Sequence, residues 1–276
     1  MNVRFQTLAS TIALICFPAL VPAVVIQQES GEVGAKEKRR ATMYLDNGKI
    51  RVESEGQTGK TVVIFDGDKQ MLWMIQPDNT YMEMTQDTVA GLGQQMSAAN
   101  DQMTQAMKQV QEKMASLPPQ QRAMMEQAMK GRGMMPGAAA PQQHVITFQA
   151  KGGTDKVGNF TCTKYDELTD GKRTAELCAA SPDSVQLKEA DLKSLQALRK
   201  FFEPMEKMIP RGSFTAPNVE QLKGFPVHSV NFDGDKPTME TTVLSVEQKP
   251  IDASLFTLPA GLQKRDMFGG RGRGPR

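Results

Sequence analysis

The sequence predicts an α+β protein in which a largely antiparallel sheet is interrupted by two helical regions. Three observations carry that prediction. From Lys36 to Thr85 short β-branched and aromatic runs alternate with turn chemistry. From Gln86 to Met135 the chain becomes rich in Met and Gln, has no aromatic residue, and takes on helical spacing. Strand-like runs then resume at His144 and are broken once more, by an apolar helical pattern from Val185 to Met208.

The first residues read as an export leader. Arg4 precedes the apolar run Leu8–Val21, and Val21-Pro22-Ala23 offers small residues to a signal peptidase, so residues 1–23 form a signal peptide cleaved after Ala23. A retained anchor needs roughly 20 apolar residues, more than this run supplies. Cys16 follows Ile15 rather than a small residue, which argues against a lipid-modified cysteine. No later segment is apolar enough to span a bilayer, so a periplasmic location with no membrane span is expected.

Between Tyr44 and Ile50 the chain contains Asn47-Gly48, a strong hairpin signal. Ile50 and Val52 alternate with Arg51 and Glu53, leaving one face wet. Thr61 to Phe65 is a short strand, Asp66-Gly67-Asp68-Lys69 turns the chain, and Met71, Trp73 and Ile75 share one face of the next strand. Pro77-Asp78-Asn79 and the strand Tyr81 to Met84 complete a meander.

In the insert, residues 86–135, Leu92, Met96, Ala99, Met103, Met107, Val110, Met114 and Leu117 recur at steps of three and four, a single helical face. Gln95, Asp101, Gln102, Lys108 and Glu112 fall on the other. The stripe is largely thioether, flexible and polarisable, and suits a surface whose shape varies. Pro118-Pro119 stops this helix, a shorter one runs from Gln120 to Lys130, and Gly131 to Gln143 is a Gly/Ala/Pro linker back to the sheet.

Strands follow at His144–Ala150, Phe160–Glu167 and Arg173–Ala179. With the leader gone, Cys162 and Cys178 are the two remaining cysteines of an exported chain. A three-residue loop, Thr169-Asp170-Gly171, pairs Leu168 with Lys172, and counting outward sets Cys162 opposite Cys178, which predicts a cross-strand disulfide. Leu187, Leu192, Leu195, Leu198, Phe201 and Phe202 give the second helix an apolar side, ended or kinked by Pro204. Phe225–Phe232 and Thr238–Glu247 form a closing hairpin.

Composition and motifs narrow the function. The formal charge is +2; without the leader's Arg4 and the net four positive charges of Lys264–Arg276, the body stands at about −3, a poor nucleic-acid binder. The Gly/Arg end, residues 267–276, reads as a disordered tail. Gly59-Lys60-Thr61 looks like the end of a phosphate loop, but Ser54 stands where a glycine is needed and a strand follows instead of a helix. There is no Gly-x-Ser-x-Gly and no His-Glu-x-x-His, and the only histidines are His144 and His228. Glu53 and Glu55 lie on a wet strand face. Phe-Asp-Gly-Asp-Lys occurs at Phe65 and at Phe232, as turn chemistry without the ligand spacing of a calcium loop. No enzyme activity and no cofactor are therefore expected. A soft-metal alternative rests on Met134 and Met135 near His144, since the other methionines have packing roles.

Val157-Gly158-Asn159-Phe160-Thr161-Cys162-Thr163-Lys164-Tyr165, Glu176-Leu177-Cys178-Ala179-Ala180, Gly224-Phe225-Pro226-Val227 and the closing Pro250 to Gly261 carry a resemblance. Together they resemble an uncharacterised exported bacterial family, domain of unknown function 4412. The closing segment is also similar to the end of the periplasmic outer-membrane lipoprotein carriers and related lipoprotein-sorting proteins. The similarity spans Val33 to Asp266 as a single domain. It implies an open, strongly curved antiparallel sheet, a half-barrel, with helices covering the concave side, and no catalytic residues. In the carriers an apolar cavity between sheet and helices holds acyl chains. By that likeness a hydrophobic small molecule or acyl chain would lie under a lid formed by Leu92, Met96, Met103, Met107, Val110 and Met114, and an outer-membrane or envelope partner would receive it. The long Met/Gln insert and the Gly/Arg tail depart from the carriers. The alternatives are a structural or interaction module of the envelope without a ligand, and a Met-based copper binder.

Overall fold

Leu45, Ile50, Val52 and Phe65 lie on one face of consecutive strands, and they bury one side of a sheet built from segments along the described chain. The structure, a computed structural model, describes residues 20–56, 59–118, 120–121, 145–206 and 218–266. The expected second helix beyond Gln121, the linker 131–143, the tail 267–276 and the copper candidates Met134, Met135 and His144 lie outside the described residues.

The first six strands are β1 (Leu20–Glu32), β2 (Arg39–Asp46), β3 (Lys49–Gly56), β4 (Gly59–Asp66), β5 (Met71–Ile75) and β6 (Thr80–Thr85). Helix α1 (Gln86–Ala115) follows, and then β7 (Ile146–Val157), β8 (Phe160–Thr169) and β9 (Lys172–Ala180). Helix α2 (Glu189–Glu206) leads to β10 (Phe225–Asp233), β11 (Lys236–Asp252) and the two-residue β12 (Gln263–Lys264). Among the described residues the twelve strands form one sheet in the order β12-β6-β5-β4-β3-β2-β1-β11-β10-β9-β8-β7, so it is open, with β12 and β7 at its edges, and every pairing is antiparallel except that of β12 with β6.

Local chemistry explains the hairpins. Asn47 and Gly48 both have positive φ, 37° and 85°, the two-residue turn that Asn-Gly favours, and it sets Asp46 opposite Lys49. Between β8 and β9 the loop differs from the expected one. Asp170 (φ 50°) and Gly171 (φ 78°) make a two-residue turn, pairing Thr169 with Lys172, and a bulge at Glu167/Leu168 shifts the register. Cys162 therefore stands opposite Ala180 and Cys178 opposite Lys164. The disulfide forms all the same, between diagonal positions of one face with Cα atoms 5.3 Å apart.

β1 is the main departure from the sequence-based expectation. The sequence reading ends the leader at Ala23 and begins the domain at Val33, yet residues 20–32 form a central strand between β2 and β11, with Val24 and Ile26 buried in the main core. A short apolar run bounded by polar residues suits a fully buried strand as well as a leader. The expected cleavage point after Ala23 falls inside β1; pairing with β2 starts just beyond it, at Val24↔Leu45.

Both faces of the sheet are covered in part. On one, Leu195, Leu198 and Phe201 of α2 and Val89 of α1 join Ile26, Leu45, Phe65, Val227 and Val243 in the main core. Phe201 meets Phe65 edge-on at 5.4 Å and Phe202 at 5.1 Å. On the other face the C-terminal segment lies across the strands. Phe256, in a 3₁₀ turn at Ala253–Phe256, buries Ala23, Val25 and Ile251, and Leu258 packs on Val62, Ile64 and Trp73.

Candidate functional site

The residues expected to form a ligand lid all lie on α1, whose start is fixed by its own chemistry. The hydroxyl of Thr85, the N-cap, accepts a hydrogen bond from the Thr88 backbone N–H at 3.2 Å, and Asp87 places negative charge in the first turn. At 30 residues the helix is about 45 Å long. It reaches the body near its N-terminus, where Val89 enters the main core and Gly93 meets Pro204 of α2.

The inward side of α1 is not the thioether stripe. Val89 and Gly93 are buried, and Ser97, Asn100 and Thr104, at steps of three and four beyond them, are half-buried. Among the expected lid residues Met96 is 36% exposed and Met103 57% exposed. Leu92, Met107 and Val110 are half-buried, and Met114 is buried near the C-terminal end. The expected stripe is therefore divided along the helix: Met96 and Met103 face outward, Leu92, Met107 and Val110 are partly covered, and only Met114 is buried. The cause is the α1–α2 crossing. A Cβ on Gly93 would lie 2.6 Å from the Pro204 carbonyl oxygen, so the contact favours the small-residue row over the methionine row. The signal was present in the spacing of Gly93, Ser97, Asn100 and Thr104, but a hydrophobicity pattern passes over small and polar residues.

Two clefts open on the described surface between polar and charged residues. One, of about 250 Å³, lies over β1–β4 and β11 and includes Gln27, Arg40, Thr42, Glu53, Glu55 and Lys60. Within it burial pushes the Glu53 carboxyl up, but hydrogen bonds from Lys60 and Arg51 outweigh that and hold its pKa below the ordinary range. The other, of about 150 Å³, lies between α2 and the turn at 218–220, beside Gln196, Arg199, Lys200 and Glu203. Among the described residues no group of three or more His, Cys, Asp or Glu side chains could hold a metal ion. His228 shares a hydrogen bond of 3.0 Å with the Thr242 hydroxyl, a pairing within the sheet. No helix among the described residues is long and apolar enough to cross a membrane.

Sequence reasoning missed one cluster. Where α2 meets the β2–β3 turn, Asp46 and Asp191 are buried close to Ser194, whose hydroxyl accepts the Gly48 N–H at 2.9 Å and donates to the Ala190 carbonyl at 2.9 Å. Asp46 lies far in sequence from Asp191 and Ser194, so nothing local signals that they meet.

The profile described as "Domain of unknown function (DUF4412)" matches residues 66–262. The chain belongs to this family. Helices α1 and α2 and the Cys162–Cys178 hairpin of this DUF4412 chain lie within the match, whereas β1, β2, β3 and nearly all of β4 precede it. No curated protein matches the chain. Among solved structures it is similar to an uncharacterized conserved protein from Thermus thermophilus, at 11% identity over 89% of this chain and 90% of that one, with a TM-score of 0.43. It is also similar to PNGF-II, at 9% identity over 89% of this chain and 31% of that one, with a TM-score of 0.39. Neither likeness bears on function.

Proposed function

We propose that this DUF4412 protein is a non-enzymatic binding protein of the periplasm that holds an acyl chain or another hydrophobic ligand against the methionines of α1. The observation that carries the reading is the outward pair Met96 and Met103, seven residues apart on the outer face of a long helix whose other side is covered as far as the buried Met114. Exposed thioethers on such a face offer an adaptable apolar surface, and each buried methylene of a ligand gains about 0.8 kcal/mol. A strongly curved half-barrel like that of the lipoprotein carriers is supported by the main core. One continuous cluster gathers residues from β8 through to β6 around α2, which a flat sheet of that width does not readily permit. Export is supported by the disulfide and by the leader-like start of the chain.

A second reading, an envelope interaction module without a ligand, is favoured by the filled interface between α2 and the sheet, where Phe201 packs edge-on against Phe65 and Phe202. Native mass spectrometry of the full chain purified from periplasm, before and after organic extraction, separates the two. The binding reading expects an adduct of lipid mass that extraction removes, and its loss from a Met96→Gln/Met103→Gln variant that melts like the wild type. A wild-type chain free of adduct, or an adduct indifferent to the double substitution, overturns it.

A further inference from the structure

The N-terminal turns of α2 rest on the β2–β3 turn through a small polar interface. Gly48 donates its N–H to Ser194, which is 0% exposed, and Ser194 donates to Ala190 one turn back. Beside this contact lie two carboxyls from the two elements: Asp46, 8% exposed, ends β2, and Asp191, 5% exposed, sits in the first turn of α2. Asp46 accepts a hydrogen bond from the Asn47 amide at 3.0 Å, and Asp191 accepts one from the Lys188 backbone N–H at 2.8 Å. Neither carboxyl has an ion-pair partner within 4.0 Å among the described residues.

We propose that this interface is a proton-operated latch, which seats α2 firmly on the sheet when Asp46 and Asp191 are neutral and loosens it when both are charged. The surrounding groups fit that role. Lys49 of β3 pulls Asp46 down and Lys188 pulls Asp191 down, but burial outweighs both, and the negative charge of Asp46 adds to it at Asp191. On the β4 side Lys69 is engaged by Asp66 at 3.2 Å, and the Asp68 carboxyl of the same turn approaches Gly48. Both aspartates therefore sit above their ordinary value of 3.8. A carboxyl with a raised folded pKa binds its proton more tightly in the folded chain. The stability it contributes is complete below the unfolded value and is lost as pH rises through the folded one. Because α2 also carries the Pro204 contact with α1, loosening its seat reaches the whole helical layer, whether or not a ligand is bound there.

Asp46→Asn and Asp191→Asn keep the shape and the acceptor oxygen while removing the charge, so they test the latch directly. Hydrogen exchange at the amides of Leu192 to Leu198 in the full chain, corrected for intrinsic rates, is followed from neutral pH downward through the folded range. Each variant should exchange more slowly than wild type at neutral pH, by about tenfold for every pKa unit removed, and the two should converge as pH falls toward 3.8. Ser194→Ala, which removes a neutral contact, should speed exchange by one factor at every pH. A carboxyl NMR titration provides a second measure, since both aspartates must titrate above 3.8. Ordinary titration of both, no protection at neutral pH, or a protection factor that does not change with pH overturns the latch.

Discussion

Gly93 and Gly91 stand two residues apart in α1 and have opposite roles. A Cβ at Gly93 would meet the Pro204 carbonyl oxygen at 2.6 Å, and that oxygen belongs to backbone that cannot rotate away. A Cβ at Gly91 would meet nothing within 4 Å. Gly91→Ala should therefore stabilise the protein by up to about 1 kcal/mol, the intrinsic gain of Ala over Gly in a helix. Gly93→Ala should destabilise it by about 1–3 kcal/mol as the helices are forced apart, in excess of that gain. Denaturant midpoints of the two variants check both signs. If Gly93→Ala also stabilises, the close crossing of α1 and α2 is wrong. Nothing in the local sequence distinguishes the two glycines; only the neighbour that each meets does.

The β8–β9 hairpin shows how far a single element can be read from its residues. Its strands, a turn at Asp170-Gly171 and the pairing of Cys162 with Cys178 were legible, because strand patterning and turn chemistry act locally and a hairpin brings the two cysteines together. The register was not, because a two-residue turn in place of a three-residue loop moves it by one and the bulge at Glu167/Leu168 by one more, and the sequence carries no mark of where a bulge will fall. The disulfide joins two buried residues of the main core across a sequence separation of 16, so it constrains the unfolded chain as well as anchoring the edge half of the sheet. Reduction should lower stability by about 2–4 kcal/mol. Urea unfolding with and without reductant measures it; an unchanged midpoint would mean that the bond adds nothing. In α1 the spacing correctly predicted a helix, while the face that turns inward was chosen by the α1–α2 crossing.

Taken entire, the sheet needs cover on both faces, and the C-terminal segment supplies it on the face away from the helices. Arg51, buried in β3, reaches this segment by donating to the Leu255 carbonyl at 2.7 Å while its Nε binds Glu53 at 2.7 Å. Leu258 lies on Trp73, the only tryptophan. Truncation after Asp252 should uncover Ala23, Val25, Ile64 and Trp73 together, red-shifting the tryptophan emission and promoting self-association of the exposed apolar face. Fluorescence and light scattering on the truncated chain report both. An unshifted spectrum would show that the segment is not what keeps Trp73 dry.

Periodicity and turn chemistry, each acting within a window of a few residues, were enough to establish the antiparallel α+β class, the meander from β2 to β6, helices α1 and α2 and the cysteine pair. They also put six candidate lid residues on one helix, though not which of them face outward. Long-range packing alone set β1 at the centre of the sheet, turned Gly93 rather than Met96 toward the neighbouring helix, and gathered Asp46, Asp191 and Ser194. These outcomes depend on contacts between segments many residues apart, where close packing and burial select the partner and no local pattern records the choice.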